Sequence, residues 1–263
     1  MLVDGKAIAS AILETVTAAV ESLGRPVTMT AVTCAPNFET KKYLEMKKEK
    51  AAAVGVDLVV VELPVEITTE EMVSKVFHIA QETDGVVVQL PLPEHIDKEL
   101  VLRAVPVDKD PDVFGYGEKR DRVLPPVVGA IDEISKLHKV EWKNKRVVVL
   151  GKGRLVGAPA ARYVRKRGAR VRVYEEDTLD VSSLKTADII ICGIGQAHFI
   201  NPDMVQAGVV LFDAGTSEDG GVLVGDVHPD TQNKAVLLTP VPGGIGPITI
   251  AYLLKNVVKL ASA

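Results

Sequence analysis

The chain has 263 residues, with 31 Lys and Arg against 35 Asp and Glu, a net charge of −4, 47% hydrophobic residues and 25% charged ones. That mildly acidic balance offers no basic field for phosphate backbones, which speaks against nucleic-acid binding, and no apolar run approaches the roughly 20 residues of a membrane span. Cys34 and Cys192 are too few for a disulfide framework or a structural zinc site. Met1-Leu-Val-Asp-Gly-Lys6 turns polar too early for a signal peptide, so a cytoplasmic globular protein of one large or two modest domains is expected.

The segment Asp4 to Leu23 predicts an amphipathic helix, with Ile8, Ile12, Leu13, Val16 and Val20 at helical spacing. Gly24-Arg25-Pro26 stops it. A strand is expected over Val27 to Cys34, a loop over Ala35 to Asn37, and a helix from Thr40 to Val54, ended by Gly55. Asp57 to Leu63 reads as a strand. Thr68 or Thr69 caps the next helix, with Glu71 placed for a capping box. Gly85 to Leu90 is a buried strand running into Pro91-Leu92-Pro93. Residues 106 to 126 read as loop, followed by a helix from about Ala130 to His138. A second alternating series then begins: strand 146–150, helix 156–168, and strands 171–174, 187–192 and 209–213. A last helix covers 248–260. Strands alternating with helices predict an α/β chain with parallel βαβ units, joined near residues 127 to 142.

Gly151-Lys-Gly-Arg-Leu-Val-Gly157 follows an apolar strand and opens a helix. Gly151 suits a tight turn, Gly153 a close approach of backbone to pyrophosphate, and Gly157 close helix–strand packing. The spacing is one residue longer than the common dinucleotide fingerprint. The next strand ends in Glu175-Glu176-Asp177, where an acid accepts hydrogen bonds from a ribose diol and repels a ribose phosphate. This favours NAD over NADP.

Tyr43 and Lys47 share a helical face, although Lys41, Lys42, Lys48 and Lys50 give that helix the look of a solvated one. Gln89 stands at the carboxyl end of a buried strand, where a polar side chain needs a partner and α/β ligands bind. Asp110 and Asp112 sit in a loop, where either also suits an ordinary turn. Thr239-Pro-Val-Pro-Gly-Gly-Ile-Gly-Pro247 leads into an apolar helix and suits a rigid ligand-holding loop. No His, Cys or Asp cluster has ligand spacing, so no metal is expected.

These motifs resemble, almost end to end, the bifunctional methylene-tetrahydrofolate dehydrogenase/methenyl-tetrahydrofolate cyclohydrolase family. The likeness rests on Val3-Asp-Gly-Lys6, Tyr43-x-x-x-Lys47, Asp84-Gly-Val-Val-Val-Gln-Leu-Pro-Leu-Pro93, Lys109-Asp-Pro-Asp112, Val156-Gly-Ala-Pro159, Ala187-Asp188, Gly225-Asp-Val227 and the 239–247 segment. It implies an N-terminal α/β catalytic domain (1–133, plus the C-terminal helix 246–263) that binds folate. It also implies a Rossmann-type parallel-sheet nucleotide domain (134–245), with the active-site cleft between them. The implied activity is oxidation of methylene-tetrahydrofolate with NAD(P), then hydrolysis to formyl-tetrahydrofolate. A monofunctional dehydrogenase or a nucleotide-binding regulator without turnover are the alternatives.

By resemblance Lys47 is the central catalytic group, Gln89 tunes it, Tyr43 packs along the folate and Asp112 holds the pterin. Leu90, Pro91, Pro242, Gly243 and Gly244 complete the substrate site. The dinucleotide is implied at Gly151, Lys152, Gly153, Arg154, Val156 and Gly157. Further cofactor positions are Glu175, Glu176 and Thr178, then Gly193, Ile194, Gly195 and Thr216, and finally Gly246 and Thr249. A homodimer is implied as well. The chain departs from the family at five places. Gly-Arg-Ser becomes Gly151-Lys-Gly153, and His-Ser-Arg-Thr becomes Glu175-Glu-Asp-Thr178. Lys-Asp-Val-Asp-Gly-Phe becomes Lys109-Asp-Pro-Asp-Val-Phe114, and Pro-Cys-Thr-Pro becomes Pro125-Pro-Val-Val128. Loss of the glycine at position 113 is expected to shift Asp112 and weaken folate binding. Thr40 replaces the usual serine.

Overall fold

The computed structural model describes residues 1–117, 122–178 and 180–263, with the side chains of Glu39 and Glu176 outside the description. The elements in order are α1 (Gly5–Leu23), β1 (Val27–Cys34), α2 (Phe38–Ala53), β2 (Val56–Leu63), α3 (Thr69–Gln81), β3 (Gly85–Val88), α4 (Lys98–Ala104) and α5 (Pro126–Leu137). They continue with β4 (Arg146–Leu150), α6 (Gly157–Lys166), β5 (Arg170–Tyr174), α7 (Val181–Thr186), β6 (Ile189–Cys192), β7 (Val209–Asp213), β8 (Ser217–Asp219), β9 (Val222–Val224), β10 (Ala235–Leu238) and α8 (Ile245–Ala261). The chain divides into two compact units, residues 10–126 with 250–263, and residues 1–9 with 127–249.

In the first unit, β2, β1 and β3 form a parallel sheet in that order. Side chains alternate across β1, so Val32 and Cys34 face the same side. There they pack with Val86 and Val88 of β3, Met72 and Val76 of α3, and Val101 and Leu102 of α4. Helix α3 starts with the expected capping box. Thr68 Oγ1 accepts from Glu71 N–H at 3.2 Å, and the Glu71 carboxylate accepts from Thr68 N–H at 2.9 Å. Helix α2 begins two residues earlier than expected, because Asn37 caps it by accepting from Thr40 N–H at 2.8 Å. Helix α4 has no counterpart in the sequence reading. Its seven residues span two turns, too few for periodicity to show, and the Asp97 cap and the buried Val101 and Leu102 define it.

The end of α8 belongs to this unit. Asn256 Nδ2 donates to the carbonyls of Pro111 and Leu124, both at 2.8 Å. Gly85 lies against Val257, whose Cγ2 would be 3.2 Å from an added Cβ. Asp84 pairs with Arg25 through two hydrogen bonds of 2.9 and 3.0 Å and accepts from Thr28 N–H at 3.0 Å. The motif 84–85 is thereby clamped to the turn before β1 and to the last helix.

The second unit carries a five-stranded parallel sheet in the order β10-β7-β6-β4-β5. Counted from β4, this is the doubly wound order 2-1-3-4-5, with its switch point between β4 and β6. The glycine loop 151–157 follows β4, and Gly193-Ile194-Gly195 follows β6, so both lie at the strand ends where such sheets bind ligands. Strand β10 escaped the sequence reading, since four residues carry little pattern. The chain start covers its edge, with Val3 N–H donating to the Leu238 carbonyl and Leu238 N–H to that of Met1, both at 2.9 Å.

Candidate active site

Lys41, Lys42, Lys48 and Lys50 on α2 are exposed, whereas Lys47 retains only 7% of its surface. The solvated face suggested by the sequence therefore holds for its neighbours and fails for Lys47. Gln89 N–H donates to the Val32 carbonyl at 2.8 Å, which prolongs the β1–β3 pairing by one residue. Its Nε2 then donates to the Leu90 carbonyl at 2.8 Å. That bond turns Oε1 towards Lys47 Nζ, which donates to it at 3.0 Å. The peptide bond between Leu90 and Pro91 is cis. Lys47 Nζ also stands 4.7 Å from the centre of the Tyr43 ring, as expected for residues four apart on a helix.

Burial lowers the pKa of Lys47, opposed by the charge of Asp112. Burial raises that of Asp112, opposed by the charge of Lys47. Burial, with Asp112 adding to it, pushes the Tyr43 phenol up to about 12, so it stays protonated. A buried amine whose hydrogen-bond acceptor is a neutral amide can give up a proton and take it back. A carboxylate partner would have fixed it in the charged form.

Asp112 lies in a loop shaped by Asp110. The two Asp110 carboxylate oxygens accept from Val113 N–H and Phe114 N–H, both at 2.8 Å. Asp110 is itself buried, and burial with the nearby Asp112 charge raises its pKa to about 7. Val113 has φ +56°, the left-handed region that favours glycine. For a β-branched residue this costs about 1–2 kcal/mol. The valine thus adopts the conformation that the family's glycine would reach freely. Val113 therefore carries backbone strain at a position where glycine would carry little.

In the glycine loop, Gly151 has φ +97°, and its N–H donates to the Tyr174 carbonyl at 2.8 Å, tying the loop to the end of β5. A Cβ on Gly157 would fall 1.9 Å from the Gly151 carbonyl oxygen, so its role is close packing. A Cβ on Gly153 would meet nothing within 4 Å, leaving that backbone open to a ligand. The loop also meets the end of β6. A Cβ on Gly151 would touch the Gly193 carbonyl and Ile194, one on Gly193 would strike Val156, and one on Gly195 would lie 3.7 Å from the Thr216 carbonyl. Seven of the expected cofactor positions are thus in one place: 151, 156, 157, 193, 194, 195 and 216. Lys152 Nζ pairs with Glu175 at 3.0 Å, and Thr178 braces Glu175 by accepting from its N–H at 3.0 Å. Arg154 is half-buried in the loop, and the Glu176 side chain lies outside the described residues. An open Gly153, a tight Gly151 turn and an acid at the next strand end fit a dinucleotide.

The peptide bond between Val241 and Pro242 is cis. Gly244 N–H donates to the Pro240 carbonyl at 2.7 Å, and Gly5 N–H to that of Gly243 at 2.9 Å. A Cβ on Gly5 would lie 1.9 Å from the Gly244 oxygen, which explains the glycine in 3–6. The loop expected up to Pro247 is shorter. Helix α8 starts at Ile245, because proline in a first turn needs no N–H partner. Gly246 and Thr249 therefore sit on its opening turns, and Thr249 Oγ1 donates back to the Ile245 carbonyl at 3.0 Å.

Sequence spacing showed no cluster of metal-ligating groups, but among the described residues Cys192, Asp213 and Asp226 lie buried together. Their carboxylates serve the backbone. Asp226 accepts from Ile194 N–H and Gln196 N–H at 2.8 Å each. Asp213 accepts from Gly215, Asp226 and Val227 N–H at 2.9, 3.2 and 2.9 Å. These bonds shape the loops after β6 and β7. Neither stands out in the sequence as a structural determinant, since an isolated Asp after an apolar run is a common pattern.

Two family models match the chain: tetrahydrofolate dehydrogenase/cyclohydrolase, catalytic domain, over residues 3–112, and tetrahydrofolate dehydrogenase/cyclohydrolase, NAD(P)-binding domain, over residues 125–263. The chain is 34% identical over 253 residues to the bifunctional protein FolD of Mycoplasmopsis synoviae (strain 53), covering 91% of each. It is similar to the crystal structure of the bifunctional enzyme FolD, methylenetetrahydrofolate dehydrogenase/cyclohydrolase, from Campylobacter jejuni (TM-score 0.94, 32% identity, 100% of this chain and 98% of that one). It is also similar to Trypanosoma brucei N5,N10-methylenetetrahydrofolate dehydrogenase-cyclohydrolase (TM-score 0.92, 32% identity, 100% of this chain and 97% of that one). That structure is a complex with NADP cofactor and an inhibitor.

Proposed function

The chain belongs to the tetrahydrofolate dehydrogenase/cyclohydrolase family, and from that premise we propose that it oxidises methylene-tetrahydrofolate with NAD and hydrolyses the methenyl product to formyl-tetrahydrofolate. The observation that carries this reading is the buried Lys47 amine, 3.0 Å from the Gln89 amide oxygen. Lys47 serves both steps in this reading: in hydrolysis it takes a proton from the water that attacks the methenyl carbon, and in dehydrogenation, where a hydride leaves the methylene carbon and no folate nitrogen loses a proton, it assists iminium formation. Burial lowers its pKa, which favours the proton-accepting form. Gln89 fixes the amine's position without neutralising it. Tyr43, protonated, offers a ring face to the folate, and Asp112 accepts from pterin donors. Leu90 and Pro91, with Pro242, Gly243 and Gly244, complete the folate site in this reading.

A bound dinucleotide supplies the hydride acceptor. The residues that hold it are those of the glycine loop, Gly193 to Gly195 and Thr216, with Gly246 and Thr249 in the same role. Glu175 accepts from the ribose diol and opposes a 2′-phosphate, and this supports NAD rather than NADP. The folate role belongs to 1–133 with the C-terminal helix, and the nucleotide role to 134–245. A cytoplasmic homodimer completes the reading, with light scattering as its test. No metal takes part in the proposed reaction. Steady-state rates with each dinucleotide, and methenyl hydrolysis by Lys47→Met, test the two activities. Undiminished hydrolysis in that variant would remove Lys47 from its role.

A further inference from the structure

Val113 holds a backbone conformation that its own side chain opposes, next to the residue assigned to the pterin. Such a residue keeps its conformation only where its surroundings over-determine it. The loop is pinned on each side. Pro111 restricts the backbone of Asp110, and its carbonyl accepts from Asn256 Nδ2 at 2.8 Å. Downstream, Tyr116 N–H donates to the Val113 carbonyl at 3.0 Å. The first holds the carbonyl before Asp112 and the second the carbonyl of Val113, and neither fixes the N–H groups of Val113 and Phe114. The Asp110 carboxylate does, since it spans the turn and takes Val113 N–H on one oxygen and Phe114 N–H on the other, each at 2.8 Å. Two short bonds to one rigid carboxylate fix the direction of two successive N–H groups, and thereby the peptide planes on either side of Val113.

We propose that Asp110 is a positioning residue for the folate reaction: its carboxylate holds Val113 left-handed and so aims the Asp112 side chain. Asp110 touches no reacting atom in this account. The inference rests on the reading of Asp112 as the pterin-holding group, and goes beyond it by naming what sets Asp112 in place. In a chain with glycine at 113 the turn would form with little opposition. Here the valine makes the loop depend on Asp110.

The test is a double-mutant cycle on the full chain, with Asp110→Asn and Val113→Gly made singly and together. An amide keeps one acceptor oxygen and sets an NH2 group against the other N–H, so one of the two bonds is lost. Asp110→Asn is expected to raise KM for methylene-tetrahydrofolate about tenfold while kcat and KM for the dinucleotide change less than about twofold. Amide hydrogen exchange at Val113 and Phe114 accelerates in the same variant. With Val113→Gly already present, the Asp110→Asn effect on KM shrinks to about twofold, since the turn no longer has to be forced. Additive effects of the two changes, or unchanged exchange at 113 and 114, would overturn the proposal. Should Asp110→Asn fail to fold, Asp110→Glu displaces the carboxylate by one methylene and is expected to show the same suppression by Val113→Gly. Asp112→Asn separates the two readings. If it leaves the folate KM unaltered, the pterin role of Asp112 falls, whereas the exchange measurement still decides whether Asp110 holds the turn.

Discussion

Glu175→Gln is the sharpest probe of cofactor choice. Glu175 follows β5 directly, and its partner Lys152 stands 3.0 Å away on the glycine loop, each side chain about half exposed at 52%. A unit charge pair near 4 Å is worth about 1 kcal/mol in water, so a doubly charged 2′-phosphate beside Glu175 is opposed by about 2 kcal/mol. Salt screening at such an exposed site reduces this to about 1 kcal/mol. Removing the charge also frees Lys152 for the phosphate, worth about 0.5 kcal/mol more. NAD loses a charge-assisted bond to its ribose diol and keeps a neutral one, a loss of about 1 kcal/mol. Together the kcat/KM ratio of NAD to NADP should fall by about 2–3 kcal/mol, or about 30-fold to about 150-fold. Initial rates with both dinucleotides at saturating methylene-tetrahydrofolate measure it. Tm should move little, because an exposed pair contributes little to folding. A wild-type protein that prefers NADP, or a ratio that shifts less than about threefold, refutes the reasoning.

Lys47→Met is expected to lower both activities by about a hundredfold or more, with dinucleotide binding, read by calorimetry, retained. Gln89→Leu leaves the Lys47 amine buried without its acceptor at 3.0 Å, so the cyclohydrolase pH–rate profile should shift while the dinucleotide KM stays constant. Gly157→Ala forces a Cβ to 1.9 Å from the Gly151 oxygen and should cost about 4 kcal/mol or more in urea unfolding, whereas Gly153→Ala meets nothing within 4 Å and should spare stability but raise the dinucleotide KM. Asp110 and Asp213, raised to about 7 and about 6 by burial, bind protons in the folded chain that they release when unfolded. Their contribution to stability is full below about pH 4 and is lost as pH rises through about 6 to 7. Asp110→Asn should therefore flatten the fall in Tm between about pH 5 and about pH 8, and an unchanged slope would show that Asp110 is ionised throughout.

The elements that patterning revealed are those whose burial is decided locally. Helix α1 shows its apolar stripe within its own residues, β4 and β7 each hold a run of four apolar residues, and β1 mixes Val, Met and Ala with β-branched Thr, so period, length and strand-forming residues sufficed. Helix α3 was legible down to its cap, because Thr68 and Glu71 satisfy each other's backbone groups without help from elsewhere. Helix α4 and strands β8, β9 and β10 were not, because three to seven residues hold too little period and their support comes from distant parts of the chain. Strand β10 shows this most clearly, its outer edge being closed by residues 1 to 3.

The same distinction separates the legible part of the site from the rest. Gln89 stood out because a polar residue in Val86-Val-Val-Gln-Leu-Pro has to find a partner, but nothing in the sequence said which. Lys47 was hidden among five lysines on one helix, and only its 7% exposure sets it apart. Asp110, Asp213 and Asp226 were harder still. Their work is to receive backbone N–H groups of loops that bear the residues proposed to face the ligands, and a backbone N–H has no side-chain identity to read. Asp226 holds Ile194 and Gln196 from thirty or more positions away, and Asp110 holds Val113 and Phe114 from three and four. Only the second has a local signal. An aspartate three residues before a position that needs positive φ suggests a carboxylate-bound turn, and a valine at that position means the carboxylate has to oppose the side chain's own preference. The departure at 113 thus shows where the loop depends on a single residue, which a glycine there would have concealed.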